Sequence, residues 1–432
     1  MADIRAFRGF RYDLGKVGSL SDVICPPYDV IDAELQQKLY AASDYNAIRL
    51  ELTTDQPGDT DSENKYTRAA STLKDWTNDD VLSQDTSRCL YFYEQEYQVD
   101  AQTFTRRGFL ARVRLEPFGT GRIFPHEQTL SGPKADRLKL YNATHFNISP
   151  VFGLYPDNGE VFQLVDPLIR NQPPMTAKDH LGVTNRLWVV TDSSVLSKIM
   201  GLLGPKPVFI ADGHHRYETG LAYANNLRDE GRLNDDEAPA NFCLMMLVGM
   251  SDPGLLILPT HRLVSGLSNV NAVSLKGALA GHFEIVETFD NSEDCWEHVQ
   301  LEDSQNVLGF GTVSDGQWIV ARLTDEAIMG TLAPDQSSEW RSLAVSILHK
   351  LVLEKLLPEA LGGTPACQYV HLMKEVDDAA TATSCQLVCL VPPCGMEHVE
   401  SIAGNREKMP PKSTYFYPKI VTGLVLHSLK KD

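Results

Sequence analysis

Apolar and polar residues alternate with two different periods along this chain, and the places where the period changes mark out its elements. Residues 207–210, Pro-Val-Phe-Ile, form a short run of β-branched and aromatic side chains, which predicts a buried strand. Past Gly213 the period becomes helical. Tyr217, Leu221, Ala224 and Leu227 or Arg228 share one face, with Glu218, Asn225 and Asp229 turned away from it. Residues 90–97 and 107–115 alternate as a pair of antiparallel strands, and 46–52 as one half-buried strand. Segments 151–155 and 187–191 predict further strands, and 32–39, 64–76 and 194–203 predict helices. The apolar runs 242–250 and 255–264, joined by Ser251-Asp252-Pro253-Gly254, predict a hairpin. Gly and Pro between 115 and 150 mark loops there.

Beyond Ser265 helices and strands alternate with few ionisable clusters: a helix near 273–281, a hairpin around Ser314-Asp315-Gly316 and a helix over 340–357. That pattern predicts an α+β (mixed α/β) chain of two domains, 1–264 and 265–432, the last segment of the second returning to the site in the first. A length of 432 residues agrees, since one core rarely grows so large. Hydrophobic residues at 43% and charged residues at 22% are ordinary globular values. The net charge of −18 repels a phosphate backbone and points away from nucleic acid toward small molecules. No apolar stretch is long enough to cross a bilayer, the first residues lack a signal-peptide core, and the eight cysteines include no Cys-x-x-Cys pair. Those features predict a cytoplasmic protein with reduced thiols and no membrane partner; the oligomeric state is not legible.

The richest stretch for chemistry is Ala-Asp-Gly-His-His-Arg-Tyr-Glu-Thr, 211–219, which sets Gly213, His214, His215 and Arg216 between the predicted strand and helix. Free N–H groups and the positive end of the helix dipole favour phosphate or carboxylate at such a turn. Asp212 reads equally as a helix cap. A metal site is the other reading, with His214 and His215 joined by Asp212 or Glu218. Three more segments stand out. Val-Ile-Cys-Pro-Pro-Tyr-Asp-Val-Ile, 23–31, is stiffened by proline and fixes where Tyr28 and Asp29 point. Phe-Pro-His-Glu, 124–127, and Ser-Gly-Pro-Lys-Ala-Asp-Arg, 131–137, offer Lys134 and Arg137 as phosphate ligands and His126 or Glu127 as an acid or base. Residues 408–419 bring Lys412 and Lys419 beside hydroxyls.

Together these motifs resemble a prokaryotic family catalogued only as a domain of unknown function, DUF1015, over nearly the whole chain. The Asp212-Gly213-His214-His215-Arg216 core is similar to the phosphate-binding motif of the ParB-like and sulfiredoxin superfamily, above all that of archaeal free-serine kinases. The resemblance implies a ParB/sulfiredoxin-like nucleotide-binding core carrying insertions. It makes Gly213 and His214 backbone phosphate contacts and His215 and Arg216 side-chain contacts; Lys134, Arg137 and Lys412 are further candidate ligands by the charge of their own segments. The sulfiredoxin cysteine is missing and no ParB-type DNA-binding helical domain is evident, so neither of those activities transfers. The expected activity is phosphoryl transfer from ATP or ADP, with Mg²⁺, to a small-molecule hydroxyl, His215 assisting and Asp29 or Asp212 acting as base. A metal-dependent hydrolase or lyase using His214 and His215, and a nucleotide-binding regulator without turnover, are the alternatives.

Overall fold

The structure, a computed structural model, describes residues 2–99, 101–127 and 131–430. Its elements follow from where apolar side chains can be covered. The run Phe-Cys-Leu-Met-Met-Leu-Val-Gly is buried at every position from Phe242 to Gly249, as a strand is when both faces of its sheet are packed. It belongs to a nine-stranded mixed sheet made of β1 (Ile4–Arg5), β2 (Leu90–Val99), β3 (Gln102–Arg114), β4 (Ile123–Pro125), β5 (Val151–Tyr155), β6 (Met175–Lys178), β7 (Thr184–Val190), β8 (Val208–Asp212) and β9 (Phe242–Gly249). The order is β4-β8-β5-β9-β3-β2-β7-β6, with β1 on β3. β8 runs parallel to β4 and antiparallel to β5, and β9 runs parallel to β5. Ile123, Val151, Val208, Ile210, Tyr217, Met245 and Leu247 share one buried cluster, so the strand before Gly213 and the helix after it are seated on the same core.

The chain divides into two compact units: the first takes 1–125, 129–255 and 418–432, and the second takes 126–128 and 256–417. Residues 256–264 therefore go with the second unit and the last fifteen residues with the first, a different partition from a single cut after 264. The second unit holds a six-stranded antiparallel sheet of β10 (His261–Leu267), β11 (Phe283–Phe289), β12 (Val307–Thr312), β13 (Gln317–Leu323), β14 (Gly363–Val370) and β15 (Leu387–Leu390), ordered β11-β13-β12-β15-β10-β14. Leu263, Val299, Val307, Val320 and Val388 are buried in its core. The expected 340–357 helix is broken into Ser338–Ser342, Ala344–Ile347 and a π-helical stretch, Leu348–Leu356.

In the first unit the helices that bear on the site are α1 (Ala33–Ala42), α2 (Ile48–Glu51), α3 (Lys65–Asn78), α4 (Ser131–Thr144), α5 (Ser193–Leu203) and α6 (His214–Asp229). Three expectations fail. The 46–52 segment is not a strand: Ile48, Leu50 and Glu51 are all buried, and Asn46 accepts the Ile48 N–H at 2.9 Å to start a helical turn. Residues 131–144 are a helix and not a loop. The 242–264 hairpin does not form, because β9 pairs with β3 and β5 while β10 pairs with β14 and β15 in the other unit. Among the described residues no helix is long and apolar enough to cross a membrane. The eight cysteines form no disulfide.

Candidate anion site at the strand-to-helix turn

The turn from β8 to α6 is organised by the missing side chain of Gly213. Its φ of +83° is left-handed, and a Cβ there would lie 2.8 Å from Nε and 2.9 Å from Cζ of Arg216. The guanidinium is thus folded back against the turn. Arg216 donates from Nη2 to Asp212 Oδ2 at 2.5 Å and from Nη1 to the Pro150 carbonyl. Lys419 donates to the other oxygen, Asp212 Oδ1, at 2.6 Å. The Arg216 side chain is only 3% exposed and that of Asp212 16%, so this is a largely desolvated ion triad. Burial opposes the Arg216 charge, yet Asp212 and then Asp29, Glu51 and Tyr28 outweigh it and hold the guanidinium above its ordinary value.

Above this base, α6 begins with no side-chain cap and no acidic residue in its first turn. The first N–H groups of a helix have no carbonyl partner within it, and the dipole adds positive potential there. His214 is buried and His215 is half-buried on that turn, where Thr219 Oγ1 donates to the His215 carbonyl at 2.7 Å.

Asp29 comes from the single 3₁₀ turn Tyr28–Val30 that follows the two prolines. It is exposed and makes no side-chain hydrogen bond or ion pair among the described residues, yet its charge reaches both Arg216 and Tyr28. Burial pushes the Tyr28 hydroxyl up, as does Asp29, while Arg216 and Arg137 pull it down. Arg137 stacks over the Tyr28 ring at 4.3 Å and donates to the Glu51 carbonyl at 2.7 Å and to Asp136 at 2.6 Å. Glu51, 1% exposed, accepts from Ser149 Oγ at 3.0 Å and from the Tyr28 N–H at 3.3 Å.

The residues singled out from sequence therefore separate into groups. Gly213, His214 and His215 form the turn, and Asp29 lies within its electrostatic field. Asp212 and Arg216 are brought together, but as a brace, since both Asp212 oxygens are engaged by cations. Arg137 is likewise tied to Glu51 and Asp136, and Lys134 pairs with Glu218 at 2.8 Å. Lys412 lies in the second unit, at a φ of +58°, with its carbonyl accepting from Arg262 Nη2 at 2.9 Å. His126 and Glu127 are also in the second unit, against the 409–414 segment: His126 Nε2 meets Thr414 Oγ1 at 2.8 Å, and the Ser413 N–H donates to Glu127 at 3.0 Å. Glu51 and Ser149 were missed altogether. The apparent alternation of 46–52 hid Glu51, and nothing local marked Ser149. Among the described residues no group of three or more His, Cys, Asp or Glu is arranged to hold a metal ion.

The model of one family, described as a protein of unknown function (DUF1015), matches residues 4–346. The chain belongs to that family. Comparison with curated proteins found no match. Solved structures similar to it include a free serine kinase variant in complex with AMP, at 10% identity and a TM-score of 0.38, covering 77% of this chain and 95% of that one. A C-terminally truncated SbnI from Staphylococcus aureus is similar at 10% identity and a TM-score of 0.35, covering 75% and 90%. A conserved hypothetical protein from Pyrococcus furiosus is similar at 12% identity and 0.34, covering 69% and 89%. These are loose likenesses, and the chemistry of this DUF1015 member has to be argued from its own residues.

Proposed function

We propose that the chain binds a nucleotide by its phosphates at the Gly213–His215 turn and transfers a phosphoryl group to the hydroxyl of a small molecule. The observation that carries this reading is the start of α6, without a side-chain cap, beside the part-buried Arg216–Asp212–Lys419 triad. The triad fixes the turn, and the helix N–H groups, His214 and His215 supply donors where phosphate charge collects. Asp29 takes the proton of the acceptor hydroxyl as that oxygen bonds to phosphorus and the bond from phosphorus to the nucleotide's leaving oxygen breaks. Mg²⁺ would arrive with the nucleotide, bound by its phosphate oxygens, and would neutralise phosphate charge.

The test is ³¹P NMR of the full chain with ATP or ADP, Mg²⁺ and a pooled set of hydroxylated metabolites. A new phosphate-ester resonance is expected, and Asp29→Asn should keep nucleotide binding while lowering turnover roughly a hundredfold or more. Binding without any product would favour a nucleotide-responsive regulator, and no binding at all would overturn the reading.

A further inference from the structure

Within the first unit a cavity of about 500 Å³ opens between α3, the end of α4, Phe10 and residues 428–430. That volume suits a small organic molecule. Its apolar wall joins three segments far apart in sequence, through Phe10, Leu73, Ala143 and Phe146. The rings of Phe10 and Phe146 meet edge to face at 5.1 Å, and Leu73 and Phe146 are buried. The ionisable groups on the wall are all bases. Lys74, His145 and Lys430 line the cavity, and no Asp or Glu does so among the described residues. Neither lysine forms an ion pair among those residues, in a chain whose net charge is −18.

His145 is the most firmly held of the three. It follows the last residue of α4 at a φ of +58°, where helices commonly end on glycine or asparagine because a larger side chain is strained there. An imidazole stands at that place in spite of the strain, and such outliers gather at ligand clamps. Its N–H donates to the Tyr141 carbonyl at 2.8 Å, its carbonyl accepts the Leu429 N–H at 2.8 Å, and its Nδ1 lies 2.7 Å from the Tyr223 hydroxyl. With that hydroxyl donating to Nδ1, the neutral ring carries its proton on Nε2, which makes no hydrogen bond among the described residues. Burial, then Lys430 and Arg232, hold the imidazole below its ordinary 6.5, so it is neutral at pH 7.

We infer that this cavity binds a small organic anion, an apolar body bearing one carboxylate or phosphate monoester. The body lies against Phe10 and Phe146, while Lys74, Lys430 and the His145 Nε2–H receive the anionic group. No residue of the nucleotide reading lines the cavity, so the two stand or fall separately.

The bland alternative is that the three basic side chains only complement the carbonyl end of α4, where the helix dipole is negative. NMR of the full chain labelled with ¹⁵N at histidine distinguishes them, the His145 resonance being assigned by its absence from His145→Asn. The probes are sodium benzoate and sodium phenyl phosphate, with benzyl alcohol as the neutral body and sodium chloride at matched ionic strength as controls. The His145 resonance should move saturably with at least one of the two anions. A response to benzoate alone or to phenyl phosphate alone supports the site and assigns its class. Lys74→Ala combined with Lys430→Ala, both exposed positions, should weaken that binding roughly fivefold or more, while His215→Ala leaves it unchanged. The inference is overturned if His145 responds to neither anion beyond the chloride control, if benzyl alcohol binds as tightly as the anions, if the double variant binds as wild type does, or if His215→Ala abolishes the binding. Should the imidazole resonance be too broad to follow, calorimetric titration of the same probes into wild type and both variants decides on the same outcomes.

Discussion

A carboxylate held between two cations is a structural anchor before it is anything else, and Asp212 is held in that way by Arg216 and Lys419. Arg216→Ala removes one of the cations that hold Asp212 and the guanidinium that donates to the Pro150 carbonyl, in a largely dry setting. The expected loss is about 3 kcal/mol or more of stability, read from urea unfolding, because breaking a buried pair costs far more than an exposed one. Gly213→Ala should cost about 1–2 kcal/mol from its φ of +83° alone, and more from the new Cβ against the guanidinium. An unchanged urea midpoint in both variants would contradict the brace. The motif itself was legible in sequence because glycine, imidazoles and guanidinium sit within four residues. Its division of labour was not: what fixes Arg216 is the carbonyl of Pro150, 66 residues away, and what fixes Asp212 is Lys419, 207 residues away.

Among the elements, those with strong local punctuation were the readable ones. Asn64 caps α3 through a reciprocal pair of bonds with Thr67, and Asn64→Ala should destabilise by about 1 kcal/mol, measured by thermal unfolding. The α4 helix was misread because Gly132 and Pro133 signal a loop, although proline is tolerated in a helix's first turn. The 242–264 hairpin was misread for a different reason: two apolar runs across a turn fit a hairpin locally, and only the partition of strands between two sheets forbids it. The α4 helix also carries a pH dependence. Burial pushes the Asp136 carboxyl up, but Arg137, then Tyr66 and Lys65, outweigh this and hold it below the ordinary 3.8. A group depressed in the folded state adds stability that is present above its unfolded value and is lost as pH falls through its folded value. Urea unfolding at stepped pH should therefore show Asp136→Asn less stable than wild type at neutral pH, the gap closing below about pH 4. A gap that stays constant across that range would show that the pairing is not electrostatic.

At the scale of the whole chain, the first unit is assembled from segments far apart in sequence. Residues 418–432 supply Lys419, the bridges Thr422 to Cys25 and Leu426 to Phe10, and the pairing of His427 with Asn147. A chain ending at residue 417 should lose the cooperative unfolding of the first unit, followed by circular dichroism, although the β8–α6 motif is intact in it. Periodicity could mark the elements but not this closure, which depends on pairings hundreds of residues apart. The central claim is that the anion at the start of α6 is a nucleotide phosphate. Calorimetric titration of the full chain with ATP and with ADP, in parallel with His215→Ala, tests it most directly: His215 is half-buried and outside the brace, so the variant should fold as wild type does. Saturable binding that weakens roughly tenfold or more in the variant is expected; no nucleotide binding by the wild type, or equal binding by both, would contradict it.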